Sequence, residues 1–203
     1  FFEKFGWNCI VIEPIPELCE KIRQERNCKV IEAAATSESG QIDFFVAEGV
    51  EVLSTCANSK VELERIELAG ANTRKITVES MKLDEILEHQ DIESIDFITI
   101  DVEGGELSVL QGFSLEKYKP RIIIVEDNNL VVDYSVRNYL KKFGYVHFKR
   151  TGCNEWYASK QDALVTKFAK VESSIKAFSP SVISIIKTYL PKPLQKIIRY
   201  FRN

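Results

Sequence analysis

Apolar residues along the chain recur first in short runs and then at helical spacing, and the two patterns alternate. Residues 9–13, "CIVIE", form a β-rich run. Pro14 follows where a helix can begin, and Leu18 and Ile22 among charged neighbours predict an amphipathic helix to about Arg26. "CKVIEAA" from Cys28 predicts a second strand. "QIDFFVA", residues 41–47, alternates more loosely and predicts an added strand or hairpin, whereas residues 54–74 are polar and define no element. "KITVESM" from Lys75 predicts another strand, and "LDEILEH" a short helix with Leu83, Ile86 and Leu87 on one side. "DFITID" follows as a strand and "GGELSVLQG" as a helix that Gly112 ends. "RIIIVE", residues 121–126, is apolar almost throughout, as a strand covered on both faces is. A helix over 133–143 comes next, and "YVHFK" with "NEWYAS" around Gly152 predicts a closing antiparallel pair.

Alternating strands and helices with nearly continuous apolar strands predict an α/β fold whose mostly parallel sheet lies between helical layers. In such sheets ligands bind beyond the carboxyl ends of the strands. Those ends are acidic here: Glu13 closes the first strand, Asp101 closes "FITID", and Glu126, Asp127 and Asn128 follow "RIIIV". A carboxylate at the tip of an early strand suits two ribose hydroxyls, which points to a nucleoside-bearing cofactor; a solvent-facing acid before a proline turn is the plainer reading of Glu13.

Asp101 stands between a strand and the glycine pair 104–105, where backbone can approach a ligand closely. Glu103 and Glu106 lie within the same few residues, and Glu106 also suits a role in supporting the first helical turn against the dipole. Three acids so close together suit a cation: a metal, a sulfonium group or a basic side chain. Oxygen ligands from Asp101, Asp127 and Asn128 would fit a divalent ion such as magnesium; otherwise "EDNN" is a loop of turn formers. His89 and His147 are isolated, His147 being the one more suited to face a pocket. Trp7, Trp156 and Tyr157 read as core-edge residues, and "AGAN" at 69–72 as a turn.

The chain has 203 residues, enough for one domain with an appendage. Its net charge of −3 hides an asymmetry: residues 176–203 hold six of the 27 Lys and Arg and none of the 30 Asp and Glu, so the tail carries +6 and the body −9. Five cysteines without a C-x-x-C pair suggest neither a disulfide framework nor a zinc site and fit a reducing cytosol. No signal peptide is seen, and no apolar run is long enough to span a membrane.

"IDVEGGELSVLQGF", with "CIVIEP" upstream, "AAATSESGQIDFF" from residue 33 and "VESMKLDEIL" from 78, resembles the FkbM-type family of S-adenosylmethionine-dependent methyltransferases, in that order and at similar intervals over roughly residues 5–150. The acid-rich strand-to-helix turn is the most specific part of the likeness. The resemblance implies a Rossmann-like class I methyltransferase fold over residues 1–160 and O-methylation of a hydroxyl on a sugar, glycan or natural product. By the same resemblance Glu13, with Pro14 beside it, holds the ribose of S-adenosylmethionine, Ala33 and Ala34 lie near adenine, and Asp101 sits beside the methionine part and the substrate, with Glu103 and Glu106 close by. Asp101 then accepts the proton of the attacked hydroxyl, or shares a metal with Asp127 that lowers the hydroxyl's pKa.

The family's opening strand and "DVGAN.G"-type loop have no counterpart, because only "FFEKFGWN" precedes the first strand here. The chain therefore reads as N-terminally truncated, with an unpaired edge expected on each of the strands that end at Glu13 and Asp101. Residues 161–203 read as a helical tail. Between 180 and 202 Val182, Ile185, Ile186, Tyr189 and Leu190, then Leu194, Ile197, Ile198 and Phe201, recur at helical spacing with only basic charges among them. Such a segment suits either an anionic membrane surface on the cytoplasmic side, within reach of a lipid-linked glycan, or a second copy of the chain. Nucleic acid is a poor match to the acidic body. Two other readings compete: a nicotinamide-dependent oxidoreductase with Glu13 on ribose, and a degenerate domain kept for assembly or binding.

Overall fold

The computed structural model describes residues 2–56, 64, 66–127 and 134–176; the tail at 180–202 and Asn128 lie outside them. Among the described residues the strands and α-helices with defined bounds are β1 Ile10–Glu13, α1 Pro16–Glu25, β2 Lys29–Glu32, β3 Ala34–Ala35, β4 Gly40–Glu48, β5 Thr55–Cys56, β6 Asn72–Met81, α2 Leu83–His89, β7 Phe97–Ile100, α3 Glu106–Gln111, α4 Leu115–Tyr118, β8 Ile122–Glu126, α5 Ser135–Lys142, β9 Tyr145–Thr151, β10 Asn154–Ser159 and α6 Ala163–Lys176. They divide into two compact units, one of residues 1–94 with 100–119, the other of 95–99 with 120–203. No described helix is long and apolar enough to cross a membrane.

In the first unit β1, α1 and β2 form a crossover with parallel strands, Ile10 facing Lys29 and Glu13 facing Glu32. Pro16 opens α1, where its missing amide costs nothing, and Cys19 is fully buried beneath the helix. The run "CKVIEAA" does not stay one strand. Lys29–Glu32 pairs with β1, the chain turns at Ala33, and Ala34–Ala35 pairs in parallel with the end of β6. From there a short turn feeds β4, which runs antiparallel to β6 from Gly40–Ser80 to Glu48–Asn72. The second sheet of this unit is thus β3-β6-β4-β5, and Ile15, Ala34, Phe44, Val46 and Val78 pack together as its core. "AGAN" is a turn, as the sequence predicts, closed by the Gly70 amide on the Glu67 carbonyl.

The described sheets are small rather than one mostly parallel layer: β6 pairs in parallel with β3 but antiparallel with β4, and β10 runs antiparallel to both β8 and β9. Among the described residues β1 has one strand partner and β7 lies at the edge of its sheet, so each has a free edge.

One close approach fixes the helical side of this unit. Gly112 ends α3 at an ordinary φ of −85°, so left-handed geometry is not what selects glycine. A Cβ there would lie 2.1 Å from the Thr36 carbonyl oxygen and 3.4 Å from the Lys82 Cα. The same junction is bonded on both sides. The Asp84 amide donates to the Gly112 carbonyl at 3.2 Å, and the Asp84 carboxylate accepts the Ser114 amide at 2.7 Å and the Ser114 hydroxyl. The Ser37 amide donates to the Ser108 hydroxyl at 3.0 Å.

The second unit is built on the sheet β7-β8-β10-β9, with the expected antiparallel pair β9 and β10 joined through Gly152. Its interior holds an ionic cluster. Glu155, buried on β10, accepts the Tyr157 hydroxyl at 2.5 Å, Arg137 from α5 at 3.0 Å and Arg150 from β9 at 3.2 Å. Burial raises the Glu155 carboxyl, but the Tyr157 hydroxyl, His147 and Arg137 outweigh it and hold the group below its ordinary value. His147, whose Nε2 lies 3.9 Å from Glu155, is held down chiefly by burial.

Two outcomes are expected. Gly112→Ala cannot be accommodated by a rotamer change, because the obstacle is backbone; it should lose stability at the upper end of about 1–3 kcal/mol, measured as a urea midpoint shift. Gly105→Ala, whose Cβ meets only a Val102 methyl at 3.3 Å, should lose less. In the second unit the folded values of Glu155 and His147 are both depressed, so their contribution is complete above the unfolded values of 4.5 and 6.5 and is lost as pH falls. Thermal scans from pH 7 to pH 4 should show this decline, and His147→Gln should flatten its upper limb between about pH 7 and 5.

Candidate functional site

The acid-rich turn leaves β7 at Ile100, and its crowding is resolved by giving each carboxylate a different environment. Glu106 bends back over the start of α3. One of its oxygens accepts the Gly104 amide at 3.1 Å and the Val102 amide at 3.4 Å. Burial raises its carboxyl, backbone amides of Glu106, Gly104 and Val102 oppose that, and the charge of Asp101 adds to the rise. Glu106 thus closes the turn. Such a bend requires left-handed backbone, supplied by Gly104 at φ 98° and, against preference for a side-chain-bearing residue, by Glu103 at φ 51°.

The strained Glu103 is pinned from a distant segment. Its carbonyl accepts the hydroxyl of the buried Thr55 at 2.9 Å. Thr55 lies on β5, which pairs with the middle of β4, so the β4–β5 hairpin holds the turn in place. Thr55 falls in the polar stretch that predicts no element; a bond spanning 48 residues leaves no local trace in the sequence.

Asp101 is the exposed member. It accepts no hydrogen bond among the described residues, and its carboxylate oxygens reach within 4.8 Å of those of Glu103. Two carboxylates so close favour a cation or a shared proton between them.

Glu13 ends β1, half-buried. One oxygen accepts the Ile15 amide at 2.8 Å, which closes the turn into α1 and leaves the second oxygen available. Burial raises this carboxyl and the Ile15 bond opposes it. It is not the plain solvent-facing acid of the alternative reading. Pro14 lies in that turn. Ala33 and Ala34 are buried, Ala34 within the core, so a ligand there would meet backbone and small side chains only. The Ser37–Ser108 pair and the Thr36–Gly112 contact tie the exit of β3 to α3, so one framework carries Ala33, Ala34 and the acidic turn.

Of the proposed metal set, Asp127 already has a partner. The Asp127 carboxylate faces Arg150 at 3.5 Å and its carbonyl accepts the same guanidinium at 2.8 Å, while Asn128 lies outside the described residues. A carboxylate already matched by an arginine is a poor magnesium ligand.

Replacing Glu106 by glutamine separates support from charge. The amide oxygen still accepts the Gly104 and Val102 amides, and the buried charge is gone. Because the folded value of Glu106 is raised, its stabilising contribution is present below 4.5 and lost as pH rises through the folded value. Urea titrations should therefore find Glu106→Gln at least as stable as the parent at pH 7, with the difference closing towards pH 4.

A family model described as the methyltransferase FkbM domain matches residues 1–146. No curated protein and no solved structure matches the chain.

Proposed function

We propose, from the premise that the chain belongs to the FkbM methyltransferase family, that it is an S-adenosylmethionine-dependent O-methyltransferase acting on a hydroxyl of a sugar, glycan or natural product. The family itself points to methyl transfer. The choice of oxygen as acceptor rests on one observation: Asp101 is an exposed carboxylate that accepts no hydrogen bond among the described residues, at a turn that Thr55 and Glu106 hold. A Rossmann-like arrangement, with strand ends gathered at one crevice, is the fold that suits this reading.

S-adenosylmethionine supplies a methyl group on a cationic sulfur. The protein's part is to orient a hydroxyl for in-line attack and to remove its proton as the new bond forms. Asp101 has the exposure to accept that proton. Glu103, its carboxylate close to that of Asp101, adds negative charge that favours a cationic group nearby. The unused oxygen of Glu13 is suited to a ribose hydroxyl, since its partner oxygen is held by the Ile15 amide and so fixes the carboxylate plane. Glu106 acts through the backbone as a positioning residue. No metal is needed in this scheme, and the engagement of Asp127 with Arg150 argues against one held there.

Calorimetry on the full chain with S-adenosylmethionine and separately with NAD tests the cofactor. Binding of the former with at least a tenfold loss in Glu13→Gln is expected; binding of NAD instead would remove the methyltransferase reading, and binding of neither would favour the non-catalytic domain. With labelled methyl donor and a panel of glycosides, Asp101→Asn should lower transfer by about 10²–10⁴-fold, the usual worth of a positioned base.

A further inference from the structure

Cys9 and Cys28 stand one step before the β1–β2 ladder begins, where the Cys9 thiol donates weakly to the Trp7 carbonyl at 3.8 Å. The register sets Ile10 against Lys29, so the residues one step earlier are Cys9 and Cys28, and the Lys29 amide still donates to the Cys9 carbonyl at 3.1 Å. Partners in a parallel ladder project to the same face, and neighbouring strands lie about 4.8 Å apart. A disulfide joins Cα atoms about 4.4–6.8 Å apart. Both cysteines are free and half-exposed. Ionised Cys9 disfavours ionisation of Cys28, and both act on Arg26. Arg26 is held in place by Glu3 at 2.5 Å, and both members of this ion pair stand beside Cys28, Arg26 favouring its ionisation and Glu3 opposing it.

The geometry points to Cys9 and Cys28 as a reversible, oxidant-dependent cross-link that closes the β1–α1–β2 crossover at its open end. Hydrogen peroxide or an organic hydroperoxide is the oxidant. The Cys9 sulfur attacks the peroxide, the O–O bond breaks, Cys9 becomes a sulfenic acid and one water (or alcohol) leaves. The Cys28 sulfur then displaces the sulfenic oxygen, which leaves as a second water, and the S–S bond forms. Two thiols have lost two electrons and the peroxide has gained them. Cys28 is the resolving partner because burial keeps its thiol protonated more than usual. A dithiol reverses the step by exchange. Cys19, wholly buried on α1 and pushed up to about 11, stays out of the reaction.

The full chain, native and at neutral pH, is treated with a small excess of hydrogen peroxide. Titratable thiols should fall from five to three, and peptide mapping without reductant should link Cys28 to Cys9, with fragmentation excluding Cys19 on the same peptide. Trp7 emission, two residues from Cys9, should be quenched. The melting temperature should rise on oxidation and return with dithiothreitol. Neither Cys9→Ser nor Cys28→Ser should show the rise. An unchanged thiol count, a link from Cys28 to any other cysteine, single-site sulfinic acid without a link, or a cross-link that lowers the melting temperature would each overturn the proposal.

Discussion

The contact on which the first unit depends is one of backbone against backbone. Gly112 admits the Thr36 carbonyl to a distance that any side chain would forbid, and so lets the end of α3 close on the exit of β3. Everything near the candidate site is referred to that junction. Thr36 follows directly on the strand that carries Ala34 into the core, and α3 begins where the acidic turn ends. Asp84, held by Gly112 and Ser114, brings the start of α2 into the same knot. Three elements distant in sequence are thereby fixed by hydrogen bonds and close backbone contact in addition to the buried apolar faces of α2 and α3, which is a sensitive arrangement: small errors in it move the carboxylates.

Repulsion among Asp101, Glu103 and Glu106 is met by giving the three different work. Glu106 is folded into its own helix start, where backbone amides stand in for the water it loses. Glu103 spends its backbone, in left-handed conformation, to make the bend, and Thr55 holds its carbonyl. Asp101 alone faces outward without a hydrogen bond among the described residues. Residual strain and charge at the turn persist because the hairpin β4–β5 and the α3 junction over-determine it, which is the situation in which a functional site tolerates both.

The sequence made most elements legible because their patterns are local. Leu83, Ile86 and Leu87 are buried on one side of α2 as their spacing predicts, and β8 alternates between covered and partly covered positions. The break at Ala33 was not legible. "CKVIEAA" is uniformly strand-forming, and only the competition between β1 and β6 for pairing divides it. The sense of the sheets was likewise hidden, since whether β4 returns along β6 depends on a turn of four polar residues and not on periodicity. Gly112 does end a helix, as its position predicts, but its ordinary φ and the nearness of the Thr36 carbonyl show that close packing, a purely tertiary cause, selects glycine there. Of the site, the acids were found by position at strand ends, but the residues that hold them, Thr55, Ser37 and Ser108, carry no signal until the chain is folded.

The two units contain opposite solutions to a buried or crowded carboxylate. Glu155 is neutralised: two arginines and a tyrosine hydroxyl satisfy it, and its carboxyl is held below the ordinary value. Such a group is matched on all sides, and its chemistry is structural. Among the described residues Glu13 and Glu106 are held by backbone amides, and burial without a cationic partner among those residues raises their carboxyls. A carboxylate desolvated without a counter-charge is favoured by whatever positive group arrives beside it. Glu106 lies close enough to the exposed Asp101 for the charge of one to oppose ionisation of the other, so a positive group arriving beside this turn would relieve both.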